Sequence, residues 1–212
     1  ISPVPASDVA DTSLVQVCEN HTDLITRLFN SIDLSLDGME PVKQALERET
    51  LPGACKHLLT YYRNSGHAHW LRELRVEADH ARDETGEQIL RDKLTFYRDT
   101  REVQRLENNR LNWHPTRDIE WNSALHRHSH LSALLKAYVK TGRAKYIRAL
   151  SGTIVDWVLS NPYKGETESK PMAWHGLEPG LRLPGWAAIF YGLQNTEEFT
   201  PAARILMLSS IP

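Results

Sequence analysis

The chain has 212 residues, 41% hydrophobic and 25% charged, the make-up of an ordinary soluble globular protein with one sizeable core. Lys and Arg total 25 against 27 Asp and Glu, a formal net charge of −2, so no global basic field speaks for a nucleic-acid partner. No apolar run approaches the roughly 18–20 residues that span a bilayer, so no membrane partner is expected, and two cysteines are too few for a disulfide framework.

Residues 1–10 carry Pro3 and Pro5 and little apolar periodicity, a flexible lead-in to a single helical domain over 11–212. The chain starts at Ile1 with neither Met nor a charged-then-apolar leader, the look of a processed or trimmed chain. Asp11-Thr12-Ser13 can cap a helix running to about Asn30, with Leu14, Val17, Cys18, Leu24, Ile25 and Leu28 on its apolar side. Glu40-Pro41 opens a second helix, with Pro where its missing N–H does no harm. Leu51-Pro52-Gly53 starts a third, which Asn64-Ser65-Gly66 stops. A fourth is expected from His69 to about His80 and a fifth from Glu87 to about Tyr97. Residues 99–118 are polar and non-periodic and predict a long crossover loop, a kind that is usually functional. A strong helical hairpin follows from about Ile119 to Ser160 and is broken by Asn161-Pro162. Tyr163 to Pro184 predicts a second long loop. Gly185 to Leu193 predicts a short helix, and Thr200-Pro201 opens a last one. No segment shows convincing strand alternation. The fold class is all-α, built of helical hairpins, with at least seven helices and no sheet of three or more strands.

Several residues admit both a structural and a functional reading. Trp121, Trp157, Tyr138 and Tyr146 lie at helical spacing among Leu and Ala, as core aromatics do. Trp113, Trp174 and Trp186 lie among Pro, Gly, His and charges, either as plugs or as faces on which a ligand stacks. Glu178 and Arg182 either form an internal salt bridge or set a cation over an anionic ligand, with Arg182 the first choice for contacting an acidic group. Aromatic faces with a guanidinium suit acidic sugars, because rings stack on pyranose C–H faces while Arg grips a carboxylate or sulfate with two bonds. His126, His128 and His130 would share one face of a strand and could then bind a metal; on a helix only His126 and His130 share a face. No carboxylate or Cys cluster completes a metal site, and His128 beside Arg127 is the candidate for lining a cleft. Arg98, Arg101, Arg105 and Arg110 are expected on a solvated face. No phosphate loop, nucleophile elbow or Cys-x-x-Cys pair is present, and no cofactor is called for. Cys18 and Cys55 are expected to be buried or half-buried thiols, since a bridge between them cannot be argued from spacing alone.

Trp121, Leu125, Arg127, His128, Leu131, Ala137, Tyr138, Thr141, Gly142, Tyr146, Trp157, Asn161, Pro162, Trp174, Glu178, Arg182 and Trp186 come in the order and spacing of one family. The chain resembles the N-terminal region of heparinase II/III-like polysaccharide lyases. Leu74, Ala78, Asp79, Ile89, Leu90 and Thr95-Phe96 resemble the weaker pattern that precedes it. The resemblance implies part of an incomplete (α/α) toroid whose remainder, with a C-terminal β-domain, lies elsewhere. It implies an acidic, uronate-containing polysaccharide as partner, cleaved by β-elimination, and a periplasmic or secreted location. The family's acid–base residues, an Asn-His motif among them, lie beyond position 212, so no catalytic residue is assigned here. Trp113, His128, Trp174, Glu178, Arg182 and Trp186 are the expected substrate-binding residues. A non-catalytic glycan- or protein-binding helical module is the alternative. A glycoside hydrolase would need two carboxylates at the cleft, with Glu120 and Glu178 the tempting pair.

Overall fold

The computed structural model describes residues 13–48, 50–66, 68–72, 74–79, 82–163 and 172–211. The expected lead-in over 1–10 lies outside them. The regular structure of the described residues is helical apart from one two-stranded hairpin. Helix α1 (Leu14–Asn20) starts on a reciprocal cap in which Ser13 Oγ accepts from Gln16 N at 3.2 Å and Gln16 Oε1 accepts from Ser13 N at 2.8 Å. The single helix expected here is broken at His21 (φ −133°, ψ 38°), and α2 (Thr22–Ser31) begins after it. Helices α3 (Glu40–Glu47) and α4 (Leu51–Asn64) form the first hairpin, each with Pro in its first turn.

The helix expected from His69 is only a 3₁₀ turn, His69–Leu71. Residues 74–79 run without helical structure past the C-terminal end of a later helix, α7 (Ser129–Thr141). Glu77 N and Asp79 N donate to the carbonyls of Val139 and Lys140 at 2.7 and 3.0 Å. Last-turn carbonyls lack partners inside their own helix, and this tertiary use of them outweighs the segment's helical propensity.

The expected fifth helix is likewise displaced. Helix α5 (Glu84–Ile89) starts earlier, where Asp83 Oδ1 accepts from Gly86 N at 2.8 Å. After it come β1 (Lys93–Phe96) and β2 (Asp99–Glu102), an antiparallel pair whose register sets Phe96 opposite Asp99. Leu94 and Phe96 point inward while Lys93 and Thr95 face water. Tyr97 and Arg98 make the two-residue turn at φ 52° and 66°, the mirror-image turn normally given to Asn-Gly. The arginines that follow are largely paired. Arg101 holds Asp99 and Asp118, Arg105 holds Asp92 at 2.7 Å, and Arg110 approaches Asp156 at 3.9 Å.

The strong hairpin appears as three helices: α6 (Ile119–His126), α7, and α8 (Ala144–Ser160). Asp118 caps the first through Trp121 N at 3.1 Å. Gly142, at φ 69°, turns α7 into α8. Gly86 of α5 lies so close to this pair that a Cβ there would stand 2.7 Å from Tyr146 Cε1 and 2.8 Å from Ala137 Cβ. The last two helices are α9 (Leu177–Gly192) and α10 (Pro201–Ser209), the latter lying against α2, α4 and α8. Helix α9 replaces the last part of the second expected loop, from Leu177 onward, and continues through Pro184, while residues 164–171 of that loop lie outside the described residues. Its Glu178, Arg182, Trp186, Ile189 and Phe190 form a buried stripe at helical period, and burying that stripe outweighs the lost backbone bond. Trp121, Tyr146 and Trp157 are core residues as expected.

Candidate functional site

The six residues singled out in sequence converge at the meeting point of α6, α7, α8 and α9. Arg182 reaches inward from α9, and its guanidinium carbon lies 4.3 Å from the ring centre of Trp157, 5.0 Å from Trp174 and 5.4 Å from Trp186. Trp174 comes from a 3₁₀ turn, Met172–Trp174. The same guanidinium donates from Nη1 to the carbonyls of His126 and Ala173, each at 3.1 Å. Only 3% of Arg182 meets solvent, and burial draws its pKa down to about 10, opposed by the charge of Glu178. It therefore stays a cation at neutral pH, held by aromatic faces and backbone dipoles.

Three corrections follow for this group. Trp174, Glu178 and Arg182 do not share a loop, because Glu178 and Arg182 are helical. Glu178 is bonded to Arg127 rather than Arg182, accepting on Oε1 from Arg127 Nη2 at 3.1 Å. Buried in that pairing, Glu178 is no free acid for a partnership with the exposed Glu120.

The histidines behave unlike an unbroken helix. The helix stops after His126, and His128 takes a left-handed conformation at φ 62° before α7 begins. All three rings then surround Trp113, at 6.1, 6.0 and 6.4 Å for His126, His128 and His130. Trp157 Nε1 donates to His126 Nδ1 at 3.1 Å, and Trp186 Nε1 donates to His128 Nδ1 at 2.9 Å. Accepting at Nδ1 fixes the neutral tautomer, with the proton on Nε2. Burial first, then the charges of His114, Arg182 and His130, push His126 down to about 3. Burial pushes His130 down to about 4. His128 lies well below its ordinary value through burial and the charges of His130, Arg182 and His126. Three imidazoles that resist protonation cannot act as acids near neutral pH. Among the described residues no group of three or more His, Cys, Asp or Glu is arranged to hold a metal ion.

Trp113, His128, Trp174, Glu178, Arg182 and Trp186 are thus all closed to water in this chain. The surface above them carries residues that sequence reasoning largely passed over. Arg127, named earlier only as a neighbour of His128, donates to Tyr97 Oη as well as to Glu178. Tyr97 is 64% exposed, its ring held at the tip of the β hairpin. His175 extends into solvent with Nδ1 3.7 Å from Glu178 Oε2. The paired positive-φ turn is the signal that could have flagged Tyr97, but Tyr-Arg in place of Asn-Gly hid it.

Successive helical hairpins locked through a buried aromatic and cationic cluster make the chain part of an incomplete (α/α) toroid. Its sequence matches the Heparinase II/III N-terminus family over residues 28–211, and the chain belongs to that family. It is similar to the heparin-sulfate lyase of Pedobacter heparinus, 28% identical over 197 residues that take in 86% of this chain and 29% of that enzyme. The heparin-sulfate lyase of Bacteroides stercoris is 26% identical over 208 residues, 86% of this chain and 30% of that one. In fold it resembles the crystal structure of heparan sulfate lyase HepC from Pedobacter heparinus, with a TM-score of 0.67 at 24% identity over 87% of this chain and 30% of the other. The chain therefore spans less than a third of the length of these relatives.

Proposed function

We propose that this chain is the N-terminal helical part of a polysaccharide lyase that cleaves a uronate-containing polymer by β-elimination outside the cytoplasm. The observation that carries this reading is the family match, which runs through almost all of the helical structure and whose relatives bear the name heparin-sulfate lyase. In such a reaction a base removes the C5 proton of the uronate and an acid protonates the departing glycosidic oxygen. Polar groups meanwhile neutralise the carboxylate. The proton-transferring residues belong to the part of the family pattern beyond position 212, and residues 11–212 supply one wall of the cleft. Helix α9 leaves Leu177, Leu181 and Leu183 exposed, a surface suited to the further hairpins of the ring. The six buried residues act as a brace for Tyr97, Arg127 and His175, which meet the sugar and its acidic groups.

Ultraviolet absorbance tests the activity, because elimination leaves a C4–C5 double bond in the product. The full-length gene product is expected to generate it on heparan sulfate, heparin or alginate, and the 212-residue chain alone to generate none. A full-length protein that binds these polymers yet yields no unsaturated product would instead support the glycan-binding module. The brace-and-rim arrangement has its own test. Replacing Tyr97-Arg98 with Asn-Gly relieves two positive-φ side chains and is expected to raise stability by about 1–2 kcal/mol. Removing the exposed ring is expected to raise KM for the polymer about tenfold. Thermal melts and steady-state kinetics on the full-length protein read the two effects, and an unchanged KM removes Tyr97 from the substrate surface.

A further inference from the structure

The two cysteines of the sequence stand 37 positions apart, yet the fold brings their sulfurs together. Cys18 Sγ of α1 lies 3.8 Å from Cys55 Sγ of α4, with 3% and 0% of the two residues exposed. Both are free thiols in this structure. Contact this close leaves about 1.8 Å to a covalent S–S distance of about 2.05 Å. The seven-residue α1 is suited to take up that shift: it buries only Leu14, Val17 and Cys18, and the break at His21 separates it from α2. Simple apolar contact is the competing explanation for a buried thiol pair, since free Cys behaves as a small hydrophobe.

We propose that Cys18 and Cys55 are a disulfide site, oxidised by a thiol oxidase while the chain folds in an oxidising compartment, and that the bridge pins α1 onto α4. One cysteine thiolate attacks the disulfide of the oxidase, forming a mixed disulfide and releasing one oxidase thiolate. The second cysteine thiolate then attacks the chain's own sulfur in that mixed disulfide, forming the Cys18–Cys55 bond and releasing the other oxidase thiolate. Two chain thiols are oxidised, one oxidase disulfide is reduced, and the two protons leave with the oxidase dithiol. Burial raises the pKa of both thiols above the ordinary range, so the native dithiol holds almost no thiolate. Exchange must then precede closure of the core. A chain folded in a reducing compartment stays a dithiol, and one folded in an oxidising compartment stays bridged.

The test is to express the full-length protein with and without an export leader, alkylate it under denaturing conditions without reductant, and map tryptic peptides by mass spectrometry. The exported protein is expected to show the Cys18 and Cys55 peptides linked, and the cytosolic protein to show both alkylated. Reducing the exported protein in denaturant and refolding it under reductant should lower its melting temperature by on the order of 5–10 °C. Two alkylated cysteines in the exported protein, or links from either cysteine to another partner, overturn the proposal. A linked pair whose reduction leaves the melting temperature unchanged would keep the bridge but overturn the pinning of α1.

Discussion

Acidification from pH 7 to pH 5 is expected to remove a large part of the stability of this fold. His126, with a pKa of about 3, and His130, with one of about 4, stay neutral in the folded chain down to those values, and His128 is held lower than usual as well. In the unfolded chain each titrates near 6.5. Below that pH the unfolded state binds more protons, so stability is fully present above about 6.5 and falls as pH drops toward the folded values. At pH 5 His126 and His130 each contribute about 2 kcal/mol to this loss, about 4 kcal/mol together, and His128 adds to it in the same direction, against a typical total of about 5–15 kcal/mol. His21, also lowered by burial, acts in the same direction. Asp156 acts in the opposite one, since burial raises its pKa and its protonation on acidification favours the folded state. Denaturant titrations at pH 7 and pH 5 measure the difference. His130→Leu, which replaces a ring whose nitrogens have no partner, is expected to move the acid midpoint down. A wild-type protein equally stable at both pH values would mean that the imidazoles find water or protons in solution that the folded packing does not show.

The same histidines show how far the sequence could be read. Their spacing was visible, and so was the helical period around them, but convergence on Trp113 depends on the left-handed turn at His128, which no local signal announces. Helices α3 and α4 were legible because Pro41, Pro52 and Asn64-Ser65-Gly66 punctuate them. Residues 74–79 were misread because their backbone donors go to a helix end some sixty residues later. The β hairpin was missed because four alternating residues are a weak signal and its turn lacks glycine. In α9 the two prolines and two glycines of the stretch 177–185 suggested a loop, although Glu178, Arg182 and Trp186 already stood at spacings of four. The candidate cluster was found for its residue types, aromatic rings with a cation. Its burial stood there only as the alternative, in the readings of the rings as plugs and of Glu178 and Arg182 as an internal pair, because a ring that stacks on sugar and a ring that stacks on arginine look alike in sequence.

Arg182→Met is expected to cost about 3–5 kcal/mol and to lower the melting temperature by about 10 °C. Methionine fills much of the vacated space, but it cannot donate to the carbonyls of His126 and Ala173, which the guanidinium now serves at 3.1 Å. Each buried acceptor left without a donor costs about 1–3 kcal/mol. The faces of Trp157, Trp174 and Trp186 lose a desolvated cation worth about 2 kcal/mol. Relief from burying a charge offsets part of the sum. Arg182→Lys keeps the charge but not the flat fork that lies among three indoles, so about 2 kcal/mol of loss is expected there. Activity per folded molecule of the full-length protein should change little in either variant, because the side chain acts on Tyr97 and Arg127 only through the packing that supports them. Thermal melts and kinetics on the same preparations separate the two roles. Melting temperatures within a couple of degrees of wild type, together with a tenfold rise in KM for a uronate polymer, would make Arg182 a direct contact for the acidic sugar and undo the brace.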